Sequence, residues 1–235
     1  MRIALLGYGK MGKMLEKIAL DRGHTIVAKI DLDTTVIDYK NIDVAIDFST
    51  PDAAYKNITD CFNNKVPVIS GTTGWLDKFK DAIAICNENK GAFIYASNFS
   101  LGVNIFFELN QQLAKMMASL NAYNVSIEEM HHTQKLDAPS GTAITLAEGI
   151  IENSDYQKWE MEANETNTVS ITSKRIGTVP GTHTITYDSN SNVDNIQIKH
   201  TAHSREGFAL GAIIAAEWIV GKTGVFTMKD VLNIS

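Results

Sequence analysis

Residues 7–12 read Gly-Tyr-Gly-Lys-Met-Gly, a GxGxxG run between the apolar stretch of residues 2–6 and a segment where Met11, Met14, Leu15 and Ile18 recur at helical spacing. A strand, a glycine turn and a helix in that order commit the chain to a parallel sheet, because the helix carries it back to start a neighbouring strand in the same direction. The glycines permit a tight turn and close approach of backbone N–H groups to a pyrophosphate, whose charge the helix N-terminus favours. Asp31 lies nineteen residues beyond Gly12, at the end of the next β-branched run, where a carboxylate can accept both hydroxyls of an adenosine ribose. Gly7, Tyr8, Gly9, Lys10, Met11 and Asp31 are therefore candidate dinucleotide contacts. A bare βα turn without a ligand is the bland alternative.

The pattern continues. Residues 25–30, 44–48, 66–69 and 93–96 are short apolar runs, with helices expected at 51–63 and about 76–89. Runs apolar on both faces, alternating with helices, predict a doubly wound, Rossmann-like α/β sheet. After Asn98 the pattern changes to an amphipathic stretch at 103–119, a strand at 124–130 and a helix at 142–151. Residues 169–173, 183–187 and 195–203 then alternate like antiparallel strands, and the polar stretch 153–167 reads as a surface connection. This predicts a second α+β domain built on a mixed or antiparallel sheet. The segment 208–220 is apolar nearly all round and needs burial on more than one face, so it is expected to return to the first sheet. The expected domains are 1–101 plus 208–235 for the dinucleotide and 102–207 for substrate binding and oligomerisation.

Composition excludes several classes. Lys and Arg total 21 against 27 Asp and Glu, a net charge of −6, so no global basic field recruits nucleic acid or an anionic membrane. The N-terminal apolar run is too short for a signal peptide, and residues 208–220, which include Glu217, fall short of the ~20 residues of a membrane span. Cys61 and Cys86 lack paired spacing, and each is expected in a helix rather than a strand-end loop, which disfavours a disulfide scaffold, a zinc ribbon or a covalent thiol route. A cytoplasmic location is expected.

Two further segments carry polar chemistry. Gly71, Thr72, Thr73 and Gly74 follow a strand of the first sheet, where hydroxyls and N–H groups can meet a nicotinamide ribose or simply cap a turn. His131, His132 and Lys135 open into Asp137-Ala138-Pro139-Ser140-Gly141-Thr142, with Ser140 or Thr142 a suitable N-cap. The N–H groups of that helix start form an anion site beside a cationic cluster, and a histidine there can move a proton near neutral pH. Adjacent strand residues point to opposite faces, so at most one of the two histidines faces a given pocket. His200 and His203 are poorly spaced as co-ligands on a strand, no HExxH or carboxylate–histidine cluster is evident, and no metal is expected.

On DVAIDFSTP at 43–51, SGTTGW at 70–75, ASNFSLGVN at 96–104 and, above all, EEMHHTQKLDAPSGTA at 128–143, the chain resembles the 4-hydroxy-tetrahydrodipicolinate reductase (dihydrodipicolinate reductase) family nearly end to end. The RxG…GxH pattern at 175–183 and H-x-A-x-SR at 200–205 extend the resemblance. The string at 128–143 is highly specific; the short glycine motifs are not. The first loop is one residue shorter than the family's GxxG(R/K)MG, so a glycine–phosphate contact is expected to shift by a position. Ser97 stands where the family commonly has proline.

The resemblance implies a homotetramer that uses NADH or NADPH to reduce a cyclic dicarboxylate in lysine and diaminopimelate biosynthesis. It implies His131 as general acid/base and Lys135 as second proton donor, with His132, Gly141 and Thr142 on the substrate carboxylates and Arg205 a weaker candidate there. It places Gly7 to Met11, Asp31, Gly71, Thr72, Thr73, Ala96, Ser97, Asn98 and Phe99 on the cofactor. Asp31 is followed by Leu32, not arginine, which favours NADH, while Lys29, on the same face as Asp31, leaves room for NADPH. The competing readings are another two-domain NAD(P) dehydrogenase of amino-acid metabolism and a dinucleotide-sensing regulator without turnover. The intact His131–Lys135–Gly141 set argues against the regulator.

Overall fold

The computed structural model describes residues 1–31 and 37–234 and divides into two compact units, Met1–Leu101 with Glu206–Ser235, and Gly102–Arg205. Leu32 lies outside the described residues.

The first unit is built on six parallel strands in the order β11-β5-β4-β3-β1-β2. In chain order these are β1 (Arg2–Leu6), β2 (Thr25–Ile30), β3 (Val44–Asp47), β4 (Val68–Ser70), β5 (Ala92–Tyr95) and β11 (Gly224–Phe226). The helices are α1 (Lys10–Asp21), α2 (Pro51–Asn63), α3 (Phe79–Glu88), α6 (Glu206–Ile219) and α7 (Met228–Leu232). Ile3, Leu5, Val44 and Ile46 pack on one face with residues of α1, α6 and α7, while Ala4, Leu6 and Ala45 pack on the other with α2 and α3. Burial on both faces is why these strands read as continuous apolar runs. Chain direction across the sheet reverses between β1 and β3, and at such a switch point the strand-end loops part to leave a crevice.

The return of the chain is secured by α6. Its alanines and glycine permit close approach: a Cβ on Gly211 would lie 1.8 Å from the carbonyl oxygen of Phe99. The helix foreseen at 76–89 splits into a short 3-10 turn at Leu76–Lys78 and α3. The strand β11 and helix α7 were not anticipated.

The second unit carries the five-stranded sheet β10-β9-β6-β8-β7, with β6 (Tyr123–His131), β7 (Lys158–Met161), β8 (Thr168–Arg175), β9 (Gly181–Ser189) and β10 (Asn195–Ala202). Two expectations need correction. The polar stretch 153–167 contains an edge strand, β7, whose exposed lysine and glutamate hid it from an apolar-pattern reading. Moreover, β8, read from its alternation as antiparallel, runs parallel to both β6 and β7, whereas β9 pairs antiparallel with β6 and β10; the sheet is mixed, as one of the two expected forms. One face is covered by α4 (Leu101–Met117) and α5 (Gly141–Ile151): Val125, Ile127, Val169, Ile171, Ile185 and Tyr187 pack against Phe106, Ala114, Leu146, Ala147 and Ile150. Among the described residues no helix is long and apolar enough to cross a membrane.

Candidate active site

In the first unit the glycine turn is constrained from two sides. Gly7 has φ 96°, and a Cβ there would lie 2.1 Å from the Phe48 carbonyl oxygen across the switch point. A Cβ on Gly12 would meet the Gly7 carbonyl oxygen at 2.4 Å, so α1 is seated directly on the turn. The Gly7 N–H donates to the Ile30 carbonyl at 2.9 Å, which brings the end of β2, and hence Asp31, beside the turn. Gly9 is the N-cap of α1 and offers no side chain to its first N–H groups, and the space a Cβ would take there is open. That is the cradle a pyrophosphate fits. Tyr8 is half-buried, Lys10 is exposed, and Met11 turns its side chain into the core, leaving its backbone for any ligand.

Gly71, Thr72 and Thr73 follow β4, while Ala96, Ser97, Asn98 and Phe99 follow β5, all at carboxyl ends of parallel strands. A buried carboxylate that the motif reading left unassigned ties the loop after β4 to the segment that follows β3. Asp47, fully buried, accepts from Ser49 Oγ (2.7 Å), Ser70 Oγ (2.8 Å), Thr72 Oγ1 (2.8 Å) and Asn57 Nδ2 (3.2 Å). Burial pushes its carboxyl above the usual range, and these four donors oppose the shift.

In the second unit the strand register assembles a denser cluster. Val125, Ile127, Glu129 and His131 alternate onto the buried face of β6. Pairing with β8 sets Ser173 opposite Glu129 and Arg175 opposite His131, while pairing with β9 sets His183 opposite Glu129. The Glu129 carboxylate, wholly buried, accepts from Ser173 Oγ at 2.7 Å and from the Ser140 N–H at 3.1 Å. Arg175 Nη1 stands 3.5 Å away, and the Nε2 atoms of His131 and His183 stand 3.4 and 3.6 Å from its second oxygen. Burial alone would raise this carboxyl, but the donors from His131, His183, Ser140 and Ser173 outweigh it and hold Glu129 well below the ordinary carboxylate range.

The two imidazoles are not equivalent. His183 is pushed down, first by desolvation, so it favours the neutral form; its Nε2 lies 3.2 Å from Ser140 Oγ. His131 places Nδ1 3.2 Å from the Pro180 carbonyl oxygen, which fixes Nδ1 as the protonated nitrogen and aims Nε2 toward Glu129. That Nε2 is buried without a well-aligned hydrogen bond, although it lies within ion-pair distance of the acid.

The loop after β6 is fastened by Arg175, which donates to the backbone carbonyls of Lys135 (Nε, 3.3 Å) and Asp137 (Nη2, 2.6 Å). Lys135 Nζ is paired with Asp137 at 2.8 Å. Ser140 caps α5 by accepting from the Ala143 N–H at 3.2 Å, beside exposed Gly141 and half-buried Thr142. His131, His132, Lys135, Gly141 and Thr142 thus belong to one continuous strand–loop–helix turn. Arg205 is exposed beyond β10.

Glu129, Ser173, Arg175 and His183 are the residues that motif reading left without a role. The spacing of Glu129 and His131 offered the signal; the other three come from strands distant in sequence. The expectation of no carboxylate–histidine cluster is overturned, because Glu129, His131 and His183 bring ligand atoms within 4.8 Å of one another. Ser140, Ser173 and Arg175 already satisfy the acid, and the Arg175 charge balances it, so the cluster reads as a buried acid with two imidazoles at ion-pair distance rather than a metal centre. Both cysteines are buried, with Cys86 pushed up by burial to about 11 and Cys61 pushed up further, which leaves neither a nucleophilic thiolate.

Family models described as dihydrodipicolinate reductase, N-terminus, and dihydrodipicolinate reductase, C-terminus, match residues 1–99 and 102–232. The chain is 58% identical to the 4-hydroxy-tetrahydrodipicolinate reductase of Christiangramia forsetii, over 99% of this chain and 98% of that one. It is 36% identical to the enzyme of the same description from Thermosipho africanus, again over 99% and 98%. Among solved structures, a dipicolinate-bound dihydrodipicolinate reductase from Paenisporosarcina sp. TG-14 shares the fold at TM-score 0.76 and 24% identity, covering 96% of this chain and 97% of that one. An aspartate semialdehyde dehydrogenase from Vibrio cholerae shares it more distantly, at TM-score 0.52 and 10% identity over 93% and 98%.

Proposed function

Because the chain belongs to the dihydrodipicolinate reductase family and is an oxidoreductase reducing 4-hydroxy-tetrahydrodipicolinate in lysine and diaminopimelate biosynthesis, we propose that its two units divide the chemistry. The first binds NADH or NADPH through Gly7 to Met11, Asp31, Gly71 to Thr73 and Ala96 to Phe99. The second binds the cyclic dicarboxylate through His132, Lys135, Gly141 and Thr142. The observation that carries this reading is the buried Glu129–His131 pair beside the α5 N-terminus.

A reduced nicotinamide, when bound, supplies hydride to the substrate ring. This chain's own residues handle the proton and the charge. The Pro180 carbonyl accepts from His131 Nδ1–H and the buried Glu129 carboxylate faces Nε2, so the ring is held in one orientation, and His131 is the residue assigned to protonate the carbon next to the reduced one once substrate binding opens a path to the imidazole. Lys135 and the free N–H groups at the start of α5 offset the negative charge that develops on the ring and its carboxylates. Asp137 holds Lys135 when substrate is absent and, being exposed, can yield it to a substrate carboxylate.

We also propose a homotetramer, on the family resemblance, and NADH use at least equal to NADPH use, on Asp31. Nicotinamide oxidation on adding freshly prepared cyclic substrate tests the assignment. A dinucleotide sensor would bind cofactor and leave the absorbance unchanged. Light scattering tests the assembly.

A further inference from the structure

A second closed group of side chains is built from three elements of the first unit, whereas the proton-transfer cluster belongs to the second. Lys29, the one basic residue of β2, places Nζ 2.6 Å from Glu16 Oε1 on α1. The same ammonium lies 4.7 Å from the centroid of the Tyr8 ring, and the Tyr8 hydroxyl donates to the other oxygen of Glu16. The Lys29 contact, followed by the Tyr8 contact, holds Glu16 below the ordinary carboxylate range, and Glu16 in turn raises Lys29. Both partners are therefore ionised at neutral pH. The room for NADPH that Lys29 leaves on the sequence alone is thus occupied by an internal counter-ion.

The place of this triad gives it a role. Tyr8 is inside the glycine turn, Lys29 pairs with Leu5 at the end of the β1–β2 ladder, and Asp31 follows the Ile30 carbonyl that accepts from Gly7. These are the elements that flank the adenosine ribose of a dinucleotide lying on such a turn. A 2′-phosphate entering there brings negative charge beside Asp31 and requires a cation.

We propose that Glu16 is a specificity-determining residue for the cofactor: by neutralising Lys29 it withholds charge compensation from a 2′-phosphate and biases the chain toward the dinucleotide with a free 2′-hydroxyl. Glu16 acts through Lys29 and needs no contact with the cofactor itself. The inference rests on the placement of the cofactor given above, and its test keeps the two apart.

Steady-state kinetics with NADH and NADPH are compared for the wild type, Glu16→Gln and the double variant Glu16→Gln/Lys29→Met. Glu16→Gln is expected to raise kcat/KM for NADPH by about tenfold, through KM and not kcat, with NADH changed by less than about twofold. The double variant is expected to lose that gain. Calorimetric titration with NADP⁺ makes the same comparison without turnover, so failure of the substrate chemistry leaves the cofactor result readable. An unchanged NADPH/NADH ratio in Glu16→Gln, equal losses with both cofactors, or a gain that survives Lys29→Met would overturn the proposal. Absence of any dinucleotide binding by the wild type would overturn the placement on which it rests.

Discussion

Glu129 and His131 stand two residues apart on β6 with both side chains on its buried face, and Oε2 of the acid lies 3.4 Å from Nε2 of the base. The carboxylate has no exposed surface and is surrounded by donors, so its charge is fixed in place before any substrate arrives. Such preorganisation costs little when a proton moves, because no solvent has to reorient.

Replacing Glu129 by glutamine should expose this dependence. An amide presents one oxygen and an NH₂ group to an environment built of donors from Ser140, Ser173 and Arg175. We expect kcat to fall by roughly 10–100-fold, less than loss of the acid itself. A stability loss of about 1–3 kcal/mol in urea unfolding should accompany it, with cofactor affinity unaltered. Full turnover in Glu129→Gln would refute the pairing.

For His131→Ala we expect kcat to fall by roughly 10²–10⁴-fold. His131→Gln should retain dinucleotide binding in a fluorescence titration, because the glycine turn belongs to the other unit. A variant with wild-type kcat would remove His131 from the proton-transfer role.

Lys135 and Asp137 should respond in opposite directions. Lys135→Ala removes a substrate anchor and is expected to raise KM and lower kcat. Asp137→Asn frees Lys135 from a competing carboxylate 2.8 Å away, and since Asp137 is exposed the pair is worth at most about 1 kcal/mol. A lowering of KM by up to about fivefold follows, with kcat nearly unchanged. A raised KM in Asp137→Asn would show the carboxylate to be a substrate contact instead.

Stability should fall with acid in two windows. Burial depresses His183, so its contribution is full above its unfolded value near ~6.5 and is lost as pH falls through the lower folded value. Glu129 is also depressed once its donors outweigh burial, so its contribution is full above ~4.3 and is withdrawn at still lower pH. Urea midpoints should therefore drop between about pH 7 and 5 in the wild type and less steeply in His183→Gln. Identical slopes would contradict the burial argument for His183.

What the sequence reveals of this protein depends on how far each signal reaches along the chain. Residues 3–6 and 44–46 announce themselves because burial on both faces demands uninterrupted apolar side chains. Lys-Trp-Glu-Met of β7 does not, because an edge strand can keep charges and still pair through its backbone. Glu129 and His131 share a face by simple alternation. Ser173 and His183, by contrast, reach Glu129 only through a register that no local pattern encodes. The likeness of residues 128–143 to a known family identifies the segment but not the buried acid's partners. Lys29 shows the opposite limit: its strand face is legible, but the counter-ion on α1 that cancels its charge is not.

The seat of Gly211 on the Phe99 carbonyl has a consequence for synthesis. A nascent chain that has reached Arg205 already contains five of the six strands of the first sheet, yet the helix that shields Ile3, Leu5, Ile46 and Ile94 has not been translated. Until Glu206–Ile219 emerges from the ribosome, that face is greasy and wet, and the edge of β5 lacks β11. The Gly102–Arg205 unit, whose strands and covering helices all lie within one unbroken stretch, has every element it needs sooner. Maturation of the glycine-turn unit thus waits on translation of Glu206–Phe226, and a ribosome stalled near codon 205 displays a surface suited to capture by a chaperone.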